Sequence, residues 1–176
     1  VVGVRLNLVG LPLPPFASPA WKNFLGAVNA RGWQVEVHQV GPQLKPIVEG
    51  LLAEGCTVVV DHFGRPDPKL GTDDPGFRHL LSAAKTGRLY VKISAAYRNG
   101  ANGRGEEVAL QALPMLKDAF GLEKLLWGSD WPHTLFEKDI RYEGQRRFLD
   151  RLLPDAKERE VVLSYAPRKL FRFSGR

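Results

Sequence analysis

The chain has 176 residues, of which 44% are hydrophobic and 25% are charged, a balance that fits one folded domain and argues against disorder. No apolar run reaches the roughly 18 residues of a membrane span, and no signal-peptide pattern opens the sequence, so we expect a cytoplasmic protein with no membrane partner. The net charge of +6 comes from dispersed lysines and arginines without a recognition motif, which makes nucleic-acid binding the weakest of the alternatives.

Strand-like apolar runs alternate along the chain with stretches of helical spacing. The runs occupy residues 3–8, 33–39, 57–62, 88–94 and 125–130. After Ser18 and Pro19, which suit a helix start, apolar residues recur at i, i+3, i+4 and i+7, and similar spacing returns near residues 44–51, 77–84, 109–116, 148–153 and 161–171. Pro114 threatens a kink in the fourth of these helices. The alternation predicts an α/β fold with a parallel sheet and right-handed crossovers.

Polar side chains stand at or just beyond the end of every predicted strand. In chain order they are Arg5 and Asn7; Glu36 and His38; Asp61, His62 and Arg65; Lys92, Ser94, Tyr97 and Arg98; and Ser129, Asp130 and His133. Because the carboxyl ends of parallel strands share one edge, where such sheets place their active sites, we expect these side chains to converge on one cleft.

The residue types at this edge suggest two kinds of chemistry. His38, His62 and Asp130 are ligands that a divalent metal such as zinc accepts, and Asp130 could act instead as a general base toward water. Three arginines offer planar forks to a carboxylate or a developing oxyanion: Arg5, Arg65 and Arg98. Any one such residue is more commonly a hydrogen-bonded loop residue, so it is the coincidence at five strand ends that favours a site.

Three segments resemble a known family in their order and spacing. VVVDHFGRPD (58–67), LYVKISAAYR (89–98) and LLWGSDWPH (125–133) are similar to motifs of the amidohydrolase-related (amidohydrolase-2) family of TIM-barrel metal-dependent hydrolases. The similarity is greatest to its lactonase branch, typified by 2-pyrone-4,6-dicarboxylate hydrolase. GVRLNL and WQVEVHQ fit the two preceding strands, so the resemblance covers nearly the whole chain. It implies a partial (β/α)8 barrel in which these are strands four to eight.

The resemblance also implies roles for individual residues. His62 and Asp130 would form the reaction centre, with Asp130 taking a proton from the attacking water and His133 beside it. The residues implied to contact the substrate, a small acidic molecule, are Arg5, Arg65, Arg98, Tyr97 and Trp131. His38 stands where metal-binding relatives carry a histidine ligand, whereas the metal-free pyrone hydrolases resemble the chain less at this point. One divalent metal and a metal-free mechanism therefore both stay open.

The HxH pair that the family carries on its first strand is missing, because the four histidines are His38, His62, His79 and His133. A whole TIM barrel takes about 250 residues. We therefore expect residues 1–176 to be a single amidohydrolase-related domain lacking three N-terminal βα units. Little or no turnover is expected from this chain alone, and its uncovered strand edges should favour self-association.

The leading interpretation is a hydrolase of a small carboxylated cyclic ester, or of a related C–O or C–N bond, in which Asp130 activates water. A truncated, non-catalytic remnant that binds a small acid or associates with itself is the alternative. Hydrolysis of a lactone by the purified protein distinguishes the two.

Overall fold

The five predicted strands form one parallel sheet in the order β1-β2-β3-β4-β5. The computed structural model describes residues 1–173. The strands are Gly3–Asn7 (β1), Gln34–His38 (β2), Thr57–Val60 (β3), Leu89–Lys92 (β4) and Leu125–Leu126 (β5). The predicted α/β fold with a parallel sheet is confirmed, and β1 and β5 lie at the two edges of that sheet.

Each strand is followed by helical structure where the apolar spacing predicts it, and the last three helices come after β5. The helices are Pro19–Ala30 (α1), Gly41–Ala53 (α2), Pro75–Ala83 (α3), Arg104–Phe120 (α4), Tyr142–Leu152 (α5), Ala156–Glu160 (α6) and Ala166–Phe171 (α7), with a π-helical turn at Val161–Tyr165. Pro114 does not end α4, which runs through it. Across residues 1–173, none of the helices is long and apolar enough to cross a membrane.

The main hydrophobic core lies between the helices and one face of the sheet. Val35 and Val37 of β2 and Val58 of β3 are fully buried there, together with most of the predicted inner faces of α1 to α4, although Phe24, which the spacing placed on the inner face of α1, is 41% exposed. Alternate strand residues point to the opposite face. On that face Val59, Tyr90 and Leu126 form a second, smaller cluster with α7, through Ala166, Leu170 and Phe171.

The fifth strand is shorter than the predicted range of 125–130. It pairs with β4 only at Leu125 and Leu126, and the next amide, that of Trp127, donates to the carbonyl of Val162 in the π-helical turn. Asp130 then adopts a left-handed backbone conformation with φ of 61°. Both features take the chain out of the sheet, so Asp130 stands on a loop above β5 instead of at its last pleat.

Candidate active site

The carboxyl ends of the five strands surround one cleft of about 830 Å³. The residues proposed from the sequence that line it are Arg5, His38, His62, Arg65, Arg98, Asp130 and Trp131. Tyr97 and His133 lie behind Asp130, and His133 is only 4% exposed. The structure thus brings the residues together, with Tyr97 and His133 one layer behind the cleft wall.

His62 is placed by a sharp turn after β3. His62 and Phe63 have φ of 54° and 58°, which non-glycine residues rarely adopt, and the fully buried Phe63 ring anchors this turn in the core. The Nδ1 atom of His62 lies 3.0 Å from Ser94 Oγ. Its Nε2 atom is buried without a hydrogen bond from the described residues. Burial lowers the pKa of His62 to about 3, against the pull of Asp130, so the ring is neutral at pH 7.

Asp130 uses its two carboxylate oxygens differently. Oδ2 accepts hydrogen bonds from the Tyr97 hydroxyl at 2.5 Å and from Arg98 Nε at 2.6 Å. Oδ1 faces His62 Nε2 at 3.6 Å. Burial opposes ionisation, but the hydrogen bonds from Tyr97 and Arg98 and the positive charge of Arg98 hold the pKa of Asp130 below its usual value. The group is therefore a carboxylate at neutral pH, with Oδ1 left to accept a proton.

Tyr97 and His133 support Asp130 from behind. The Tyr97 oxygen lies 3.3 Å from His133 Nδ1 as well as contacting Asp130. Burial and the bond to Asp130 raise the pKa of Tyr97, so its hydroxyl stays protonated and donates. The arrangement orients the carboxylate and leaves only one of its oxygens facing the cleft.

Arg65 and His38 form a second contact in the cleft wall. Arg65 Nη1 lies 3.1 Å from His38 Nε2, and because a guanidinium can only donate, that nitrogen must be the unprotonated acceptor. Burial, opposed by Asp61 and reinforced by the charge of Arg65, lowers the pKa of His38 to about 4. Arg65 Nε is buried without a hydrogen bond from the described residues. Arg65 therefore keeps donor capacity for a ligand.

Asp61 is a site residue to which the sequence assigned no role. It is 2% exposed and accepts a hydrogen bond from Arg5 Nη2 at 2.8 Å, while Lys92 Nζ lies 3.2 Å from its other oxygen. Its position directly before His62 at a strand end was the only available signal. His38, Asp61 and His62 offer ligand atoms within 4.8 Å of one another, so Asp61, and not Asp130, groups with the two histidines.

A divalent metal fits this group poorly. The acceptor nitrogen of His38 is already bound to Arg65, and both oxygens of Asp61 face cations. In this group His62 Nε2 is buried without a hydrogen bond from the described residues, whereas Asp61 Oδ1, which also has none, lies 3.2 Å from the Lys92 ammonium. A metal here would also stand among the positive charges of Arg5, Arg65, Lys92 and Arg98. Tight binding would require at least two of these side chains to move.

Comparison with known proteins places the chain in a family. The model of the Amidohydrolase family matches residues 1–173, and the chain belongs to that family. A 2-pyrone-4,6-dicarboxylate hydrolase from Comamonas testosteroni is 27% identical over 97% of this chain and 59% of its own length. A 4-sulfomuconolactone hydrolase from Hydrogenophaga intermedia is 27% identical over 79% of this chain and 46% of its own. The chain thus spans about half the length of these curated relatives.

A crystal structure supports the same placement. It is that of a "probable 2-pyrone-4,6-dicarboxylic acid hydrolase" from Acinetobacter baumannii with citric acid bound. The two chains are 40% identical with a TM-score of 0.93, over 98% of this chain and 65% of that one. The resemblance stated from the sequence is confirmed at the level of the family and its pyrone-hydrolase branch, and the sheet forms part of a (β/α) barrel.

Proposed function

We propose that this site hydrolyses a small carboxylated cyclic ester, with Asp130 activating the water. The observation that carries the proposal is the asymmetry of Asp130: Oδ2 is saturated by Tyr97 and Arg98, while Oδ1 faces the cleft beside His62. A fixed, ionised carboxylate with one open oxygen is suited to general-base catalysis. The relatives named above, which are lactone hydrolases by name, support the choice of bond.

In this reaction Oδ1 of Asp130 takes one proton from water as the water oxygen bonds to the ester carbonyl carbon. The ring C–O bond then breaks, its electron pair passes to the leaving oxygen, and the proton held by Asp130 moves to that oxygen. A Ser94 hydroxyl that donates to His62 Nδ1 leaves the ring proton on Nε2. Nε2 can then donate to the carbonyl oxygen as negative charge develops there.

The charge of the cleft supports a carboxylated substrate. Four cationic side chains line it against three carboxylates: Arg5, Arg65, Lys92 and Arg98 against Glu36, Asp61 and Asp130. Arg65 is the cation for which the described residues supply no carboxylate within 4.0 Å. A substrate carboxylate would supply the missing partner of Arg65 by accepting hydrogen bonds from the planar fork of its guanidinium.

We propose further that the reaction proceeds without a resident metal, and that the five strands are the fourth to eighth of the barrel. The engagement of His38 and Asp61 by cations supports the first point. The 65% of the A. baumannii chain that is covered is close to five units of eight and supports the second. If a metal were held, His38, Asp61 and His62 would hold it, and it would supply polarisation of the carbonyl.

The function is tested by measuring the hydrolysis of 2-pyrone-4,6-dicarboxylate, which is monitored as the loss of its ultraviolet absorbance. Asp130→Asn keeps the shape but removes the proton acceptor, so the rate of a full-length parent that carries the first three βα units should fall roughly 10²–10⁴-fold. The matched control is Asp118→Asn, at an exposed position of α4, which should leave the rate unchanged. Hydrolysis unaffected by Asp130→Asn would contradict the mechanism. Binding of a dicarboxylate without any hydrolysis would favour the alternative, a non-catalytic binder of small acids.

A further inference from the structure

Four charged side chains that line the cleft form a closed ring of ion pairs, here called the ion ring: Arg5, Glu36, Asp61 and Lys92. Arg5 Nε donates to Glu36 Oε1 at 2.8 Å, and Arg5 Nη2 donates to Asp61 Oδ2 at 2.8 Å. Lys92 Nζ closes the ring, at 2.5 Å from Glu36 Oε2 and 3.2 Å from Asp61 Oδ1. Each member thus contacts two members of opposite charge.

The strand register explains why the ring closes. Arg5 of β1 and Glu36 of β2 are paired neighbours, so their side chains share a face. Glu36 pairs next with Val59 of β3, whose short side chain is fully buried in the second cluster. The longer side chains of Glu36 and Lys92 therefore meet across β3, and Asp61 fills the position after Val60 on that strand.

The ring fixes the direction of Arg5. Two of the three guanidinium nitrogens, Nε and Nη2, are held by carboxylates, while Nη1 has no hydrogen bond from the described residues. The Arg5 side chain is 44% exposed and lines the cleft, whereas the side chains of Glu36 and Asp61 are 17% and 1% exposed. One edge of the guanidinium is therefore anchored in the sheet and its remaining nitrogen is available to a ligand.

We propose that Glu36 and Lys92 are positioning residues, which aim Arg5 at one carboxylate of a dicarboxylate ligand. The inference deepens the proposed function and rests on it. Glu36 lies across the ring from Asp61 and carries the same charge, so as a bare charge it repels an anionic ligand. As a positioning residue it helps binding, because a preorganised guanidinium loses less side-chain freedom when the ligand arrives. Repulsion by Glu36 weakens binding of the ligand and positioning of Arg5 by Glu36 strengthens it, so a measurement of binding distinguishes the two effects.

The experiment measures binding of benzene-1,3-dicarboxylate, a planar dianion with no ester, to the whole chain by titration calorimetry. Glu36→Gln removes a negative charge, yet we expect it to weaken binding about tenfold, the effect of one misplaced charge-assisted contact. Glu36→Asp keeps the charge but is one methylene too short to span Arg5 and Lys92, and should also weaken binding. Glu107→Gln, on α4 at 64% exposure, makes the same change in net charge outside the cleft and should have no effect.

A double-mutant cycle with Arg5→Met separates positioning from a general structural effect. In the Arg5→Met background, Glu36→Gln should weaken binding no further, because the residue that it positions is gone. Thermal unfolding checks that each variant is folded. Lys92→Arg, which can still donate to both carboxylates, should bind within about twofold of the unmodified chain.

Two results would overturn the inference alone: unchanged or tighter binding in Glu36→Gln and Glu36→Asp, or an equal loss from Glu36→Gln with and without Arg5. Failure of the unmodified chain to bind the dicarboxylate would overturn it together with the proposed function. Binding that follows the expected pattern, in a chain that hydrolyses no lactone, would leave this inference standing and remove only the catalytic proposal.

Discussion

His38 and His62 are neutral bases enclosed among cations, and this makes the stability of the fold depend on pH. Their pKa values in the folded chain, about 4 and about 3, lie below the usual value of about 6.5. The unfolded chain therefore takes up protons first as the pH falls, so their contribution is complete above pH 6.5 and is lost toward the folded pKa values. As the pH falls from 6.5 to 5, each histidine should lower the free energy of unfolding by about 2 kcal/mol.

Urea unfolding at several pH values measures this loss. His38→Asn keeps an acceptor for Arg65 but removes the titration, so its unfolding free energy should fall about 2 kcal/mol less over the same interval. An equal pH dependence in the variant and the unmodified chain would show that His38 is not held neutral by its surroundings.

The same two histidines provide a test for a metal that needs no activity measurement. Because Arg65 and Lys92 already engage His38 and Asp61, we expect added Zn²⁺ to leave the midpoint of thermal unfolding unchanged. A resident metal would instead stabilise the fold by mass action. A rise in the midpoint that His38→Asn abolishes, with His79→Asn as the control, would contradict the metal-free proposal.

Single residues also mark the limit of prediction from this sequence. Asp61, Glu36 and Lys92 could be placed at strand ends from the apolar pattern, but nothing in it indicated a ring. Glu36 and Lys92 meet across an intervening strand, so their contact depends on the register of three strands and on a small residue between them. Strand register and packing between strands are properties of the tertiary structure, which residue types and spacing do not determine.

At the scale of elements, α3 is tied to the loop that carries Arg65. Asp74 is fully buried and caps α3 by accepting from the Phe77 amide at 2.9 Å, and it also accepts from the Asp67 amide at 3.2 Å. Asp74→Ala leaves the buried Phe77 amide and the part-buried Asp67 amide without their partner, so the free energy of unfolding should fall by about 2 kcal/mol. Urea unfolding measures the loss.

Asp155→Ala is the matched control for that variant. Asp155 caps α6 by accepting from the Lys157 amide at 2.7 Å, but it is exposed, so water can replace the lost bond. Its removal should cost about 0.5–1 kcal/mol, the low end for a helix cap. Equal losses in the two variants would mean that burial adds nothing to the cap of α3.

Element types were predictable here, whereas several element ends were not. Apolar spacing located all five strands and the helices between them. It did not predict the short 3-10 turns at His62–Gly64 and Ala96–Asn99, where residues such as Phe63 and Ala95 take positive φ angles. Non-glycine residues accept that conformation only when surrounding packing imposes it, so it leaves little trace in local sequence.

At the scale of the whole molecule, the sheet has two edges, β1 and β5. On β1 the carbonyl of Val2 and the amide of Leu8 bond toward β2, so alternate residues such as Gly3 and Asn7 direct backbone groups outward. Unpaired strand edges invite pairing with another chain. We expect a mass by light scattering that rises with concentration and persists in high salt; the mass of one chain at every concentration would contradict this.

The strand side chains of the second cluster can be covered only after α7 has been synthesised. Val59, Tyr90 and Leu126 face away from the main core, and their cover includes Leu170 and Phe171. A chain growing on the ribosome makes all five strands long before α7 emerges, so these three apolar side chains stay open to water or to a chaperone in the interval. Arrest of translation just before residue 166 should therefore produce a nascent chain that binds chaperones more strongly than one arrested after α7 has emerged.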